Sequence, residues 1–297
     1  MTYTAWILLT ASLVGISCGI LGVFLILRKM AMMADAISHT VLLGIVVAYL
    51  LTHSLNGIHM VIGAAVAGIL TTYLVQWFHS RGVGQDASIG VVFTTLFAIG
   101  VILIATKTGN VHLDVQHALM GEISFVPWNT VDLPVLGSIP LATLMLFIVL
   151  FVVIAVIGLF FKEWKLTTFD PALAASLGIP VIGLHYLFMT LVSVTTVASF
   201  DAVGAIMVVA MLIAPAAAAY LWSDKLLVML FLSAAFGVVS AVLGFYFALW
   251  IDTSISGSMA FATGIIFLLS FIISPRHGML SNWLRPARKT GPSSIDL

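Results

Sequence analysis

Residues 5–52 decide the fold of this chain, and they read AWILLTASLVGISCGILGVFLILRKMAMMADAISHTVLLGIVVAYLLT. Two apolar runs, 5–27 and 30–52, are separated only by the basic pair Arg28 and Lys29. About 20 apolar residues in a helix cross a bilayer core that is about 30 Å thick. Because backbone groups in lipid must be hydrogen-bonded within the segment, each run is predicted to form a transmembrane helix.

The composition of the whole chain supports this prediction. Of 297 residues, 62% are hydrophobic and 7% are charged, whereas soluble domains carry about 25% charged residues. The formal net charge of zero gives no reason to expect nucleic acid as a partner. Cys18 is the single cysteine, which excludes a disulfide within the chain and a thiolate cluster.

Nine apolar runs predict an all-α integral membrane protein with nine spans. Gly15, Gly19, Gly22, Gly63 and Gly68 lie in these runs, and small residues let helix backbones approach closely in lipid. The first run has no basic n-region and is predicted to be retained rather than cleaved as a signal peptide. Residues 1–275 are predicted to form the transmembrane domain and 276–297 a basic cytoplasmic tail. The predicted spans are 5–27, 30–52, 59–79, 88–106, 138–161, 180–199, 202–222, 226–250 and 254–274.

The distribution of basic residues predicts the orientation of the spans. With the N-terminus outside, ten of the eleven Lys and Arg residues fall on the inner side, and Lys107 alone falls outside. Cytoplasmic loops carry this kind of excess. The two longest connections are then 107–137 on the outer side and 162–179 on the inner side.

The second span holds an ionisable pair, Asp35 and His39, on one helix face. At a rise of 1.5 Å per residue, Asp35 lies about 10 Å and His39 about 16 Å beyond Arg28, near the bilayer midplane. Ionisable groups at this depth are costly unless they face a partner or water. One carboxylate and one imidazole suit manganese, zinc or ferrous iron. On spacing alone, a divalent-metal site and a simple hydrogen-bonded pair both remain open.

The outer connection holds a second group of candidate metal ligands. His112, Asp114 and His117 occur in HLDVQH, within reach of one ion, and Glu122 follows. They could receive a metal from outside or belong to an ordinary polar loop. Asp201, at the outer end of a span, is expected to cap a helix at the membrane interface.

The inner connection contains FDPALAASLGIP, which predicts a short capped helix. Asp170 is in the N-cap position, Pro171 is at the first helical position, and Gly178 follows the last turn. Small residues on such a helix leave room for a partner protein, although an ordinary connector between spans has the same pattern.

Four stretches taken together resemble the permease subunits of bacterial manganese, zinc and iron ABC importers, the ABC-3 family. The resemblance covers residues 5–275 with the motifs in the same order, and the motif around Asp35 and His39 is the most specific. It implies a type II ABC importer permease fold in the bacterial cytoplasmic membrane. The stretches are ILRKMAMMADAISHTVLLGI, HALMGEI, FDPALAASLGIP and VGAIMVVAMLIAPAAAAYL.

The same resemblance implies roles for individual residues. Asp35 and His39 match the family's pore metal ligands. Residues 169–178 are similar to the family's coupling helix, which places Phe169, Asp170, Ala174 and Gly178 at a cytoplasmic ATPase. An external metal-binding lipoprotein and a second permease subunit, identical or paralogous, complete the implied assembly.

The predicted function is a permease subunit that takes a divalent metal through the membrane by alternating access. Manganese is favoured, and zinc and ferrous iron stay open. The chain has no GxxxxGK[ST], HExxH or GxSxG motif. It is therefore expected not to be an enzyme and to hold no cofactor of its own. ATP hydrolysis is expected to take place on a separate subunit. The alternative is an ion-coupled secondary transporter working without an ATPase. The absence of an internal repeat and the capped inner helix favour the first.

Overall fold

The computed structural model describes residues 2–53, 57–107, 123–133 and 137–275. Within these ranges, nine helices are long and apolar enough to cross a membrane, which confirms the predicted number of spans. They are α1 (Tyr3–Leu27), α2 (Ala31–Thr52), α3 (Gly57–Ser80), α4 (Gln85–Lys107), α5 (Leu141–Leu159), α8 (Val181–Val203), α9 (Ala205–Trp222), α10 (Leu226–Ile251) and α11 (Ile255–Ile273).

Two short strands interrupt the helical architecture on the predicted outer side. Strands β1 (Thr130–Leu133) and β2 (Gly137–Pro140) pair antiparallel, with Val131 opposite Ile139, and a 3₁₀ helix (Ile123–Trp128) precedes them. The fifth span was predicted to begin at residue 138, but α5 begins at Leu141, because residues 137–140 extend as β2 and Pro140 precedes the first helical turn. Apolar residues such as Ile139 extended the apparent span into the hairpin.

The boundary between α8 and α9 also differs from the prediction. The break falls at Gly204, whose φ of 80° and ψ of 165° lie in a region that glycine adopts readily. Helix α8 therefore continues through residue 201 to Val203. The expectation that Asp201 caps a helix was wrong, since this residue lies within α8.

Close backbone contacts hold the spans together. Helix α1 packs against α9 and α10, while α2 packs against α3 and α4. A Cβ atom added to Gly15 on α1 would come within 2.8 Å of the backbone of Gly237 on α10. Gly44 on α2 and Gly63 on α3 approach each other just as closely. The prediction that glycines mark helix contacts is confirmed at Gly15 and Gly63.

The inner connection between α5 and α8 contains two helices rather than one. Helix α6 (Phe161–Phe169) was not predicted, and it precedes the predicted short helix α7 (Pro171–Ser176). Residues predicted to share a side of the membrane lie together. The hydroxyl of Tyr3 donates to the carbonyl of Ser124 at 2.6 Å, and Arg28 donates to Thr168 at 3.1 Å. These contacts agree with the alternating topology, while its absolute orientation stays a prediction.

Candidate functional site

Asp35 and His39 lie together on one face of α2. The distance from Nε2 of His39 to Oδ1 of Asp35 is 3.6 Å, and about two fifths of each side chain is exposed (39% for Asp35 and 38% for His39). Partial exposure of both groups within a spanning helix means that they face open space rather than the packed interior of the protein.

Aromatic side chains from α4 border the His39 ring. The ring of Phe93 is stacked on His39 at a centroid distance of 5.6 Å, and that of Phe97 meets it edge-on at 5.6 Å. These contacts restrict the imidazole from the α4 side, and Asp35 lies beside it on α2. An oriented imidazole beside a carboxylate provides one nitrogen and one oxygen ligand to a divalent ion.

Helix α2 is fixed against α3 next to this pair. The hydroxyl of Thr71 on α3 donates to the hydroxyl of Thr40 on α2 at 2.8 Å, and both side chains are fully buried. The Gly44–Gly63 contact lies about one turn farther along α2. These contacts position the helix that carries Asp35 and His39 without using either side chain.

No group of three or more His, Cys, Asp or Glu side chains that could hold a metal occurs among the described residues. Metal binding at Asp35 and His39 therefore stays a prediction, with these two side chains as the candidate ligands. The predicted outer ligands His112, Asp114 and His117 lie outside the described residues, so their arrangement stays a prediction.

Helix α7 has the capped form that its sequence predicts. The Asp170 carboxylate accepts a hydrogen bond from the Leu173 amide at 2.9 Å. Pro171 occupies the first turn, and Gly178 has a φ of 79° just beyond the helix. These features form a rigid turn between α6 and α8.

The outward face of α7 is apolar. Phe169, Leu173 and Leu177 are 56%, 46% and 64% exposed. Ala174 is fully buried within the chain, so it packs α7 against the rest of the protein. The exposed surface is formed by Leu173 and Leu177 instead. One exposed leucine on this six-residue helix and a second at its C-cap are suited to a complementary groove.

A cluster around Arg28 was not predicted from the sequence. Its Nε donates to Thr168 at 3.1 Å and its Nη2 to Thr167 at 3.2 Å, both on α6. The guanidinium carbon lies 5.5 Å from the Trp164 ring centroid and 5.0 Å from that of Phe188. Burial lowers the pKa of Arg28 to about 10, which still leaves it protonated at neutral pH.

The sequence held a weak signal for this cluster. Trp164, Thr167 and Thr168 lie three and four residues apart, the spacing of one helix face. Their partner Arg28 is about 140 residues away and could not be inferred without the structure. Next to Arg28 lies a pocket of about 190 Å³ on the predicted inner side, which is lined by Gln76, His79, Gln85 and His185 among others.

Comparisons with known proteins agree on one family. The ABC 3 transport family matches residues 1–274. The manganese transport system membrane protein MntD of Bacillus subtilis (strain 168) is 57% identical over 285 residues, covering 96% of this chain and 97% of that protein. The zinc transport system membrane protein TroD of Treponema pallidum (strain Nichols) is 41% identical and covers 95% of this chain and 77% of its own length.

A solved structure supports the same fold. The structure of PsaBC from Streptococcus pneumoniae in complex with Fab aligns with a TM-score of 0.79 and 33% identity, over 95% of this chain and 96% of that one. The overall fold of the described residues is thus that of an ABC transporter permease. The chain belongs to the ABC 3 transport family and is a multi-pass bacterial membrane protein.

Proposed function

We propose that this chain is the membrane-spanning subunit of an ATP-driven importer of divalent transition metal ions, with manganese as the favoured cargo. The observation that carries the proposal is the Asp35–His39 pair, a carboxylate and an imidazole 3.6 Å apart on a spanning helix. The relatives named for manganese and zinc transport support the class of cargo.

Two metal ligands from one chain suit a site that a metal ion passes through rather than one that stores it. A second permease subunit related by a two-fold axis would add another carboxylate and another imidazole, giving four protein ligands on the axis. Oxygen and nitrogen ligands without thiolate bind manganese, zinc and ferrous iron. An ion in a transport pathway must also dissociate readily, and the open side of the pair leaves it a way out.

Helix α7 is the proposed contact with the cytoplasmic ATPase. It lies between two spans on the predicted inner side, and its exposed Leu173 and Leu177 supply an apolar surface. The outer connection 107–137 is the proposed contact with an external metal-binding lipoprotein. ATP binding would move α7, and this movement would open the Asp35–His39 pair to one side of the membrane at a time.

The test is metal uptake by the reconstituted assembly. The permease would be purified with its ATPase and placed in vesicles. The external metal-binding lipoprotein, loaded with manganese, zinc or ferrous iron, would supply the metal. The proposal expects uptake that requires ATP hydrolysis and is fastest for manganese. Uptake driven by a proton or sodium gradient without ATP would instead establish a secondary transporter. Absence of uptake for all three metals would exclude the proposed cargo.

A further inference from the structure

The Arg28 cluster joins the segment before α7 to the helix that carries Asp35 and His39. Arg28 follows α1 directly, and α2 begins three residues later at Ala31. Its two hydrogen-bond acceptors, Thr167 and Thr168, lie at the end of α6. Only Asp170 separates α6 from α7.

We call the contacts of Arg28 with Thr167 and Thr168 the Arg28 joint. The α6 side of this joint is anchored deep in the protein. Trp164 is fully buried, with its ring centroid 6.1 Å from that of Phe24 on α1 and 5.5 Å from that of Phe188 on α8. Phe24 and Phe188 also meet edge-on, at 6.0 Å. Three aromatic rings from three helices therefore pack together, and the Arg28 guanidinium lies over two of them. Displacement of α6 must move this cluster.

The α2 side of the joint is equally rigid. The Met30 amide donates to the carbonyl of Leu25 at 2.8 Å, and the Lys29 amide donates to that of Ile26 at 2.9 Å. This pair of bonds is the Schellman pattern, which fixes the path of the chain after a helix. Arg28 and the first turn of α2 are thus parts of one tight corner, and Asp35 lies about 6 Å of helix rise beyond Ala31, the first residue of α2.

The joint also has the means to adopt a second arrangement. A guanidinium has five N–H donors, and hydrogen bonds to Thr167 and Thr168 occupy two of them. The adjacent pocket of about 190 Å³ is lined by Gln76 and Gln85, and a glutamine side chain carries an amide oxygen that can accept from a guanidinium. The buried Nε1 of Trp164 has no hydrogen-bond partner among the described residues, a cost that a shifted arrangement could relieve.

From these contacts we infer that Arg28 is a positioning residue that transmits movement of α6 and α7 to the start of α2, and so to the Asp35–His39 pair. The inference rests on the proposed function, since it takes α7 as the contact with the ATPase. Arg28 touches no cargo in this role. Its two hydroxyl contacts and its two aromatic contacts make the α1–α2 corner follow α6.

The experiment replaces Arg28 in the complete complex with its ATPase in vesicles. Arg28→Gln should leave equilibrium manganese binding within about twofold of wild type and retain ATP hydrolysis, while manganese taken up per ATP falls at least tenfold. Arg28→Lys keeps the charge but not the paired geometry, so its ratio should be intermediate. Lys29→Gln, at the exposed neighbouring residue, is the matched control and should transport normally.

A second variant addresses the case in which Arg28→Gln fails to assemble. The double substitution Thr167→Val and Thr168→Val removes both acceptors while leaving Arg28 in place, and it should lower uptake per ATP in the same way. A purely structural role would reduce uptake and hydrolysis by the same factor. An unchanged ratio in the threonine variant, or weakened manganese binding in an assembled Arg28→Gln complex, overturns the inference. Failure of wild type to take up any metal would instead refute the proposed function.

Discussion

Lys29 occupies a left-handed backbone conformation at the corner between α1 and α2, with a φ of 58°. A side chain with a Cβ atom loses about 1–2 kcal/mol in this conformation, and glycine does not. Glycine is also the residue most often found at this position of a Schellman motif. The corner is therefore held by its hydrogen bonds in spite of the residue that it contains.

Lys29→Gly is accordingly expected to stabilise the permease by about 0.5–1 kcal/mol, because the conformational cost is removed and the two backbone hydrogen bonds are kept. Thermal unfolding of the detergent-purified protein measures the effect. Lys29→Ala is the matched control, since it removes the charge but keeps Cβ, and it should give no gain. A glycine variant less stable than wild type would mean that the Lys29 side chain contributes contacts of its own.

Single residues differed in how far the sequence could place them. Asp35 and His39 could be placed together because one helix fixes the geometry of both residues. The closeness of Phe93 and Phe97 to His39 depends on how α4 packs on α2, which no local pattern specifies. Arg28 could be predicted to lie at the inner surface, but its contacts with α6 depend on the tertiary fold.

At the scale of helices, the contact between α2 and α3 is the one that bears most directly on the candidate site. A Cβ atom on Gly63 would meet the carbonyl oxygen of Gly44, and it would lie 2.6 Å from the Cβ of Ala48. The backbone atoms cannot yield without separating the helices. The position of α2, and with it that of Asp35 and His39, depends on this close approach.

Gly63→Ala is expected to destabilise the permease by about 1–3 kcal/mol, the usual cost of overpacking an interior. Gly90→Ala in α4 is the matched control, because an added Cβ there has no atom within 4 Å, and it should be neutral or slightly stabilising. Thermal unfolding of both variants decides the matter. Equal stability of the two would show that α2 and α3 tolerate separation.

The exposed face of α7 gives a prediction about partner binding. Leu173→Arg should weaken ATPase binding at least tenfold while leaving the permease folded, because it places a charge on the proposed apolar contact. Val83→Arg is the control, because it adds the same charge on the predicted inner side, in the turn after α3, away from α7. It should leave ATPase binding unchanged. Co-purification and size-exclusion chromatography measure the stoichiometry. Normal assembly of the Leu173 variant would contradict the proposed role of α7.

Ala174→Arg is expected to behave differently from Leu173→Arg. Because Ala174 is buried within the chain, an arginine there should disturb the packing of α7 itself and lower the yield of folded permease. The small residues of FDPALAASLG predicted the helix and its caps correctly. Which of them face outward depends on how α6 and α8 hold the segment.

Considered as a whole, the molecule has a topology that follows from apolar run lengths and the inner excess of basic residues. All nine spans could be predicted, because each needs only a sufficient apolar length. The helices that pack against each span could not be predicted, because small residues indicate that a contact exists but not which helix forms it. The hairpin β1–β2 and helix α6 were missed because short elements at the membrane surface lack such a length signal.

Labelling with a membrane-impermeant thiol reagent tests the orientation. Trp128→Cys is expected to react in intact cells, and Val83→Cys only after permeabilisation, because these exposed side chains lie on opposite predicted sides. Cys18 is fully buried in α1 and should give no background. The opposite labelling pattern would refute both the inner location of α7 and the outer location of residues 107–137.

The most direct test of the central claim is ATP-driven manganese uptake by complexes carrying Asp35→Ala or His39→Ala. Both should assemble and keep the thermal stability of wild type within a few degrees, because the partly exposed pair is costly at this depth. The loss of the contacts of His39 with Phe93 and Phe97 should offset only part of that gain. Uptake should fall below about a tenth of wild type, while Asp86→Ala, which removes an exposed carboxylate at the start of α4, should leave it unchanged. Uptake near the wild-type rate in either pair variant would show that the metal does not pass Asp35 and His39.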